Sequence, residues 1–384
     1  MNIAFVNWWT FNTVLGGIEA VGARVAQSLT ERGHHLCFAT IEEGYPSVEG
    51  IPNLLLPDKD HIHSMVNRRA LLSYFREQEV GCIVCHNAYR RRLAKLLSEV
   101  AAEMGVPLVF EIHTDPSYTY CKHRFPSFVR RAELSFRRHK AVRQWRLLTQ
   151  IADKIVFLSE GYIAPFRSMT GLKDSDKLIS IPNPNTFAPD EIPTKMEKEN
   201  RLLYVGRFEM AVKRVDLLLR IWALLQDKHP DWSLYLLGGG SSEEESSLQT
   251  LASSLGLKRV HFEGIQQPKP YLIKSKLLAL VSKFEGWPLV LSEGMQFGLV
   301  PVVMNSFAAL PEILDEGRAG IMTPPDDLVA YAEAISDLMV NEGRRRQMAD
   351  HASKYVTKYD LSHVTDRWES MLRKCIKSGR HERK

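Results

Sequence analysis

The 384-residue chain contains no stretch approaching ~18 uninterrupted apolar residues, the length a membrane-crossing helix requires. Its first residues, MNIAFVNWWTF, show neither a basic leader nor a small-residue cleavage site. That opening run is therefore read as a buried strand, and the protein is expected to be cytoplasmic. Cysteine is scarce, with Cys37, Cys82, Cys85, Cys121 and Cys375 as the full set. Cys82 and Cys85 form a single CxxC inside an apolar run with no second pair to complete a metal site. Reduced, buried thiols are the better reading. Neither GxGxxG nor GxxxxGK[ST] occurs, so a nicotinamide dehydrogenase or a P-loop hydrolase is not supported. No Asp-x-Asp stands in surroundings suited to a metal-bridged diphosphate, and no metal ligands are expected.

What is present suits a globular protein of two domains: 45% hydrophobic and 25% charged residues, with 23 Gly and 19 Pro, over a length too great for one ordinary core. The first half alternates short apolar runs (NIAFV, HLCFAT, GCIVCH, PLVFEIH, KIVFLS) with longer amphipathic ones such as GGIEAVGARVAQSLTERG. Strands that read as unbroken apolar runs between helices imply a parallel sheet covered on both faces. Residues 182–200 hold four prolines and a charged end and read as a linker. The pattern then restarts with RLLYVG, WSLYLLGGG, VHFEG, LLALVS and VPVVM. The expectation is α/β: two Rossmann-like, doubly wound domains facing across a cleft, at 1–181 and 201–355. A helical tail over 356–384 is a candidate to cross back to the first domain. Ligands of such sheets bind at the strands' carboxyl ends, so the chemistry is expected there.

Three stretches combine residue types suited to anion chemistry. In LGGIEA, Gly16 and Gly17 follow the first strand and open a helix, where backbone N–H groups can face an anion; the simpler alternative is a tight turn. In YVGRFEMAVKRVDLLL, Arg207 follows a strand and Lys213 stands six residues on. A planar fork and a point cation suit the oxygens of a diphosphate, both to bind it and to let it leave. In KFEGWPLVLSEGMQFG, Pro288 favours a first helical turn, leaving the N–H groups near Gly286 and Trp287 toward an anion. Glu285 precedes that start and Glu293 lies inside the helix. Taken as helical, their eight-residue spacing separates them by about 12 Å, enough for one carboxylate to accept hydroxyls of a hexose and the other those of a ribose.

From Leu202 to about Tyr355 the chain presents, in order, GR(x5)K, LLGGG, VHFEG, E(x7)E, GLVPVV and LPEILDEGRAGIMTPPDD. This ordered set resembles family 4 glycosyltransferases of the GT-B fold, of the kind that builds bacterial cell-surface polysaccharide and lipopolysaccharide. In the first half the resemblance rests on GGIE and on FEIHTD, where His113 matches the family's active-site histidine. The sequence departs from the family's pattern at Arg214, usually Gly, at Trp287–Pro288, usually Phe-Gly, and at Ala308–Ala309–Leu310, where Gly-Gly usually precedes Pro-Glu.

The resemblance implies retaining transfer of a hexose or N-acetylhexosamine from a nucleotide diphosphate sugar, with UDP the expected nucleotide, to a glycan or lipid-linked acceptor. It implies no cofactor beyond that co-substrate. It assigns charge neutralisation to Arg207 and Lys213, and hexose contacts to His113 and Glu285. Gly16, Gly17, Gly286, Trp287, Pro288, Leu289 and Glu293 would line the substrates. A sugar-nucleotide epimerase of the same architecture and a non-catalytic nucleotide-sugar-binding protein are the competing readings.

The net charge of +5 is uneven: from Cys121 to Leu147 nine Lys or Arg face the single acid Glu133. No nucleic-acid motif accompanies this patch, so no nucleic-acid partner is expected. Over 122–146 the cations interleave with Phe128, Leu134, Phe136, Val142 and Trp145, and Leu148 follows. That pattern suits an interfacial helix on an anionic membrane surface, which would make the enzyme peripheral on the inner face of the cell membrane; an ordinary helix with its apolar residues in the core is the alternative.

Overall fold

A computed structural model of the chain describes residues 1–13, 17–87, 89–117, 127–173 and 176–381; the side chains of 127–134 and 379–381 lie outside this description. The chain divides into two compact units, Met1–Pro184 with Leu361–Lys384, and Asn185–Asp360.

The first unit is built on a seven-stranded parallel sheet in the order β3-β2-β1-β4-β5-β6-β7. Its strands are β1 (Asn2–Trp9), β2 (His35–Glu42), β3 (Asn53–Leu55), β4 (Cys82–Cys85), β5 (Leu108–Ile112), β6 (Lys154–Phe157) and β7 (Leu178–Ser180). The helices are α1 (Ile18–Glu31), α2 (Met65–Glu77), α3 (Arg91–Met104), α4 (Ser127–Ile151) and α5 (Ile163–Thr170). The apolar runs lie where both faces are covered: Ile3 to Val6, Ile83 to Cys85 and Ile155 to Phe157 have no exposed surface. Sequential strands diverge from β1 in opposite directions, to β2 on one side and β4 on the other, which makes the carboxyl ends of β1 and β4 the switch point where such sheets hold ligands.

The second unit repeats the plan with a six-stranded parallel sheet, β10-β9-β8-β11-β12-β13. Its strands are β8 (Arg201–Val205), β9 (Ser233–Leu237), β10 (Val260–Gly264), β11 (Leu277–Leu280), β12 (Val300–Met304) and β13 (Ile321–Thr323). Its helices are α6 (Val215–Leu225), α7 (Ser242–Ser254), α8 (Lys269–Lys274), α9 (Leu289–Gln296), α10 (Leu310–Ile313), α11 (Leu328–Val340) and α12 (Glu342–Tyr355). Trp222, Trp232, Tyr204 and Tyr331 fill its core beside Leu202, Leu277 and Val302.

One segment sits differently from the sequence expectation. Of the stretch 182–200 read as a linker, residues 185–200 are packed onto the second unit: Asn185 Nδ2 donates to Val356 O at 2.9 Å and Asp360 Oδ1 at 2.7 Å, and the half-buried Lys198 Nζ donates to Leu272 O and Phe297 O at 2.9 and 2.6 Å. Prolines remove backbone donors without preventing an extended strap from being held by its side chains. The last helix, α13 (Leu361–His381), belongs to the first unit. Val364, Trp368, Leu372 and Cys375 join the core around Ile3 and Phe5, and Arg367 Nη2 donates to Ser180 O at 2.6 Å.

Cys82 and Cys85, i and i+3 on β4, are both buried, and Cys82 lies against Cys375; the hydrogen bond with that thiol, and then burial, push its own thiol well up. Helix α4 shows how the basic stretch is used. Trp145 and Leu148 are buried, with Trp145 Nε1 donating to Pro116 O at 3.2 Å, so these apolar residues serve the core and do not act as surface anchors. Phe136 is exposed among Arg138, His139 and Lys140. Residues 122–126 lie outside the described residues, as do the side chains of Phe128 and Leu134. No helix of the described residues is long and apolar enough to cross a membrane.

Candidate active site

The second unit gathers its charged side chains at the carboxyl ends of β8 and β11. The chain leaves β8 at Gly206 and is held close to the end of β9: Gly206 N donates to Leu237 O at 2.9 Å and Phe208 N to Gly239 O at 2.8 Å. Gly238, at φ 141°, permits this, since a Cβ there would stand 1.9 Å from Gly206 O. LLGGG therefore has a positional role that its sequence alone did not disclose. Arg207 emerges from this turn with its side chain 77% exposed and Nη2 3.4 Å from Glu209 Oε2, an extended cation held only loosely. Tyr204 OH donates to Arg207 O at 2.9 Å and steadies the backbone beneath it.

Seven residues after Arg207 the chain turns through a left-handed Arg214, at φ 57°, into α6. Lys213 is thereby placed with Nζ 2.6 Å from Glu285 Oε1, both side chains largely buried. Lys283 N donates to Val212 O at 2.7 Å and ties the two loops together just behind the pair. An ammonium has three donors and a carboxylate has lone pairs on two oxygens, so each keeps hydrogen-bonding capacity toward a ligand. The pair brings a diphosphate-binding cation and a hydroxyl-accepting carboxylate to one spot.

The helix after Glu285 differs from the sequence expectation. Pro288 is its N-cap and Leu289 its first residue, so Glu293 is the fifth residue, little more than one turn in. Residues 285–288 are not helical, and the 12 Å separation argued from an eight-residue helical rise therefore does not apply. Glu293 is nearly buried, and its Oε1 accepts from Thr186 Oγ1 at 2.6 Å. Gln296 brackets the same strap, its Nε2 donating to Phe187 O at 2.7 Å. Thr186 is the residue that sequence reasoning missed, because it sits in the stretch taken for a linker. Trp287 is 5% exposed and meets Tyr359 edge to face at 5.0 Å, so it walls the site from behind. Gly286 completes the turn between Glu285 and Trp287.

In the first unit the switch point carries a cluster that the sequence did not announce as one. His86, directly after β4, and His113, directly after β5, converge on Glu111, inside β5. Glu111 Oε2 lies 2.6 Å from His86 Nδ1 and 3.1 Å from His113 Nε2, and the two ring nitrogens are 3.3 Å apart. Burial alone would raise the Glu111 carboxyl, but the two imidazoles outweigh it and hold it down at about 2; His86 is pushed down from its ordinary range mainly by burial. The signal in the sequence was the acid in the middle of PLVFEIH, since a carboxylate is almost never fully buried without a partner. His113 thus turns Nε2 inward.

Gly17 caps α1 at φ 93°, a left-handed conformation that glycine adopts without strain. Glu19, in the first turn, accepts at Oε1 from Asn7 Nδ2 at 3.3 Å and already places a carboxylate at that helix end. Gly16 lies outside the described residues.

With this geometry in view, two family models match the chain, Glycosyltransferase Family 4 over residues 15–184 and Glycosyl transferases group 1 over 199–341. An uncharacterized glycosyltransferase of Haemophilus influenzae is 25% identical over 370 residues, covering 93% of this chain and 96% of its own. A Campylobacter jejuni enzyme named GalNAc-alpha-(1->4)-GalNAc-alpha-(1->3)-diNAcBac-PP-undecaprenol alpha-1,4-N-acetyl-D-galactosaminyltransferase is 24% identical over 277 residues, covering 71% of this chain and 70% of its own. The crystal structure of Anabaena HepE in complex with UDP and glucose superposes with a TM-score of 0.75 at 16% identity, covering 97% of this chain and 99% of that one.

Proposed function

Because the chain belongs to the family 4 glycosyltransferases of the GT-B fold, related to enzymes of polysaccharide and lipopolysaccharide synthesis, we propose a specific reaction for it. It transfers a hexose or N-acetylhexosamine from a UDP-linked donor to a glycan or lipid-linked acceptor, with retention at the anomeric carbon. No divalent ion bridges the diphosphate. The observation that carries this reading is the Lys213–Glu285 pair at 2.6 Å, which sets a cation and a hydroxyl acceptor side by side.

In this mechanism Lys213 and Arg207 bind the diphosphate. Charge grows on its sugar-side oxygen as the bond to the anomeric carbon breaks, and donors already aimed there stabilise the transition state more than the ground state. Arg207, exposed and loosely held, can swing its fork onto the oxygens, whereas Lys213 is fixed by Glu285. The acceptor oxygen bonds to the anomeric carbon on the face the phosphate leaves, and its proton passes to the departing phosphate oxygen. Glu285 holds the hexose hydroxyls beside the reacting carbon. Glu293, aimed by Thr186, accepts from the ribose. His113 has Nδ1 to offer the hexose while Nε2 stays with Glu111. The acceptor of the Campylobacter relative, a diphospho-undecaprenol glycan by its name, and the UDP in the HepE complex support the choice of donor and acceptor class. The exposed cations of α4, with Phe136, provide a reversible hold on anionic lipid, each contributing about 1 kcal/mol near the surface.

The test is to incubate the protein with UDP-sugars and lipid-linked acceptors and to read the product's anomeric configuration by NMR. Retained configuration, unchanged rates on adding magnesium or manganese, and loss of turnover in Lys213→Ala are expected. An inverted product, or donor conversion to its epimer without an acceptor, would remove the reading.

A further inference from the structure

The buried cluster at the first unit's switch point decides which nitrogen His113 turns to a ligand. Glu111 Oε2 lies 2.6 Å from His86 Nδ1 and 3.1 Å from His113 Nε2, and takes hydrogen bonds from both rings. An ionised carboxylate accepts and never donates, so each nitrogen that faces it carries a proton. The other arrangement has His86 Nδ1 donating to His113 Nε2 across 3.3 Å. It would turn a bare nitrogen toward a carboxylate oxygen at 3.1 Å and bend the His86 proton away from an acceptor at 2.6 Å. Lone pair would then face lone pair inside the protein, where repulsion is least screened.

His86 has the surroundings of a supporting group. Its Nε2 is buried without a partner among the described residues, and its ring packs against Phe5 and Phe11 with centroids at 4.8 and 5.2 Å. A proton on Nε2 would be a buried donor with no acceptor, so the ring stays neutral with its one proton on Nδ1, toward Glu111. Backbone pairing fixes both residues: His86 N donates to Val6 O at 2.9 Å, and Glu111 sits in β5 between β4 and β6. The His113 ring stacks on that of His86 at 5.5 Å, with 24° between their planes. No described residue takes His113 Nδ1.

We propose that Glu111 and His86 are positioning residues that lock His113 in its Nε2–H tautomer, so that Nδ1 accepts a hydrogen bond from one hydroxyl of the donor sugar. The inference rests on the proposed transfer reaction, in which His113 meets the hexose, and adds to it the direction of that bond and the two residues that set it. A sugar with a hydroxyl at that position satisfies the lone pair. One with fluorine or hydrogen there leaves a ring nitrogen of a largely buried side chain unsatisfied. Glu111 and His86 do not touch the sugar and act only through the His113 ring.

The experiment uses the full-length protein with isotope-labelled histidine. Long-range proton–nitrogen NMR spectra read the protonation of each ring nitrogen, and the His113 signals are those absent from His113→Asn. Protonated Nε2 and bare Nδ1 are expected in the wild type; a proton on Nδ1 with bare Nε2 would overturn the lock. Glu111→Leu, checked for native circular dichroism, is expected to mix the two tautomers and to lower kcat/KM for the UDP-sugar roughly tenfold or more. Inhibition by UDP alone, whose phosphates meet the second unit, should not change. Among donor analogues with one hydroxyl replaced by fluorine, one is expected to lose roughly tenfold in the wild type and little more in Glu111→Leu, because the two changes remove the same bond. Losses that add for every analogue, or a fall in UDP affinity equal to the fall in kcat/KM, would overturn the positioning role. The tautomer is read without turnover, so a failure of the transfer reaction itself, such as an inverted product, is distinguished from a failure of the lock.

Discussion

Lys213 and Glu285, 72 residues apart in sequence, meet at 2.6 Å with both side chains largely buried. Removing one partner of such a pair leaves the other charge without its neighbour, and the two truncations should not behave alike. Lys213→Ala removes a cation aimed at the leaving group, and turnover is expected to fall by about 3 kcal/mol of transition-state stabilisation, roughly two orders of magnitude. Arg207→Ala, touching the same diphosphate from a loosely held position, should fall similarly without loss of thermal stability. Steady-state kinetics on purified variants checks both, and near-normal turnover by either would remove it from the leaving-group role.

Thr186 gives Glu293 its orientation, and this separates the two glutamates. Thr186→Val deletes the 2.6 Å hydrogen bond while keeping the shape, so donor KM is expected to rise several-fold with kcat nearly unchanged, as in Glu293→Gln. Glu285→Gln should instead lower kcat. Equal, purely KM-type losses in all three variants would refute the division between ribose and hexose.

Gly238 permits the close approach on which Arg207 depends. A methyl group there would stand 1.9 Å from Gly206 O at a φ of 141°. Gly238→Ala must therefore displace the end of β8 or β9, and a loss of at least about 2 kcal/mol in urea unfolding is expected, together with lower turnover. Wild-type stability and activity in this variant would show that the two loops are not coupled.

Much of this architecture was legible because parallel strands covered on both faces leave apolar runs, such as NIAFV and KIVFLS, that no amphipathic helix imitates. The order of GR(x5)K and E(x7)E located the charged pair. Contacts made across the chain were not legible. Nothing in CHN announces that His86 will meet His113, since strand order, not spacing, places β4 beside β5. The strap 185–200 reads as a linker because its prolines and charges resemble one, and only the fold shows Lys198 and Thr186 bonded into the second unit. The reach assigned to Glu293 came from counting the whole span from Glu285 as helical, whereas the helix begins only at Leu289, after Pro288. In α4 the interleaved aromatics could serve core or surface, and Trp145 and Leu148 were claimed by the core.

Lys198 carries a pH dependence. Burial pushes its ammonium down to about 7 from the ordinary 10.5. Below pH 7 both folded and unfolded chains hold the proton, and above 10.5 neither does. Between these values the unfolded chain binds a proton that the folded one lacks, so stability rises with pH through this window, by at most about 1.4 kcal/mol per unit. Lys198→Met lacks the titration. The difference in unfolding free energy between wild type and this variant should therefore move in favour of the wild type from pH 7 to pH 10. A flat difference over that range would show that the two carbonyls keep the ammonium charged.

Arg214 stands where the family pattern has glycine, and its backbone explains that preference. At φ 57° and ψ 40° it is left-handed, a conformation that costs a residue with a Cβ roughly 1–2 kcal/mol and glycine nothing. The turn cannot relax, because it must end the loop with Lys213 against Glu285 and begin α6 at Val215. Against that cost Arg214 has one compensation, an ion pair with Asp326, whose side chain is 72% exposed. A pair open to solvent on one side contributes about 0–1 kcal/mol, and salt screens it. Arg214→Gly should therefore match or exceed wild-type stability at low salt and exceed it by roughly 1–2 kcal/mol at high salt, where the pair is screened. Asp326→Asn, which loses the pair but keeps a side chain that tolerates the left-handed backbone of residue 326 (φ 65°), should be the less stable variant at low salt and approach wild type at high salt. Urea unfolding of the three proteins at two salt concentrations distinguishes the contributions. Destabilisation of Arg214→Gly that persists at high salt would mean that the arginine side chain, not its backbone, sets the stability of this turn.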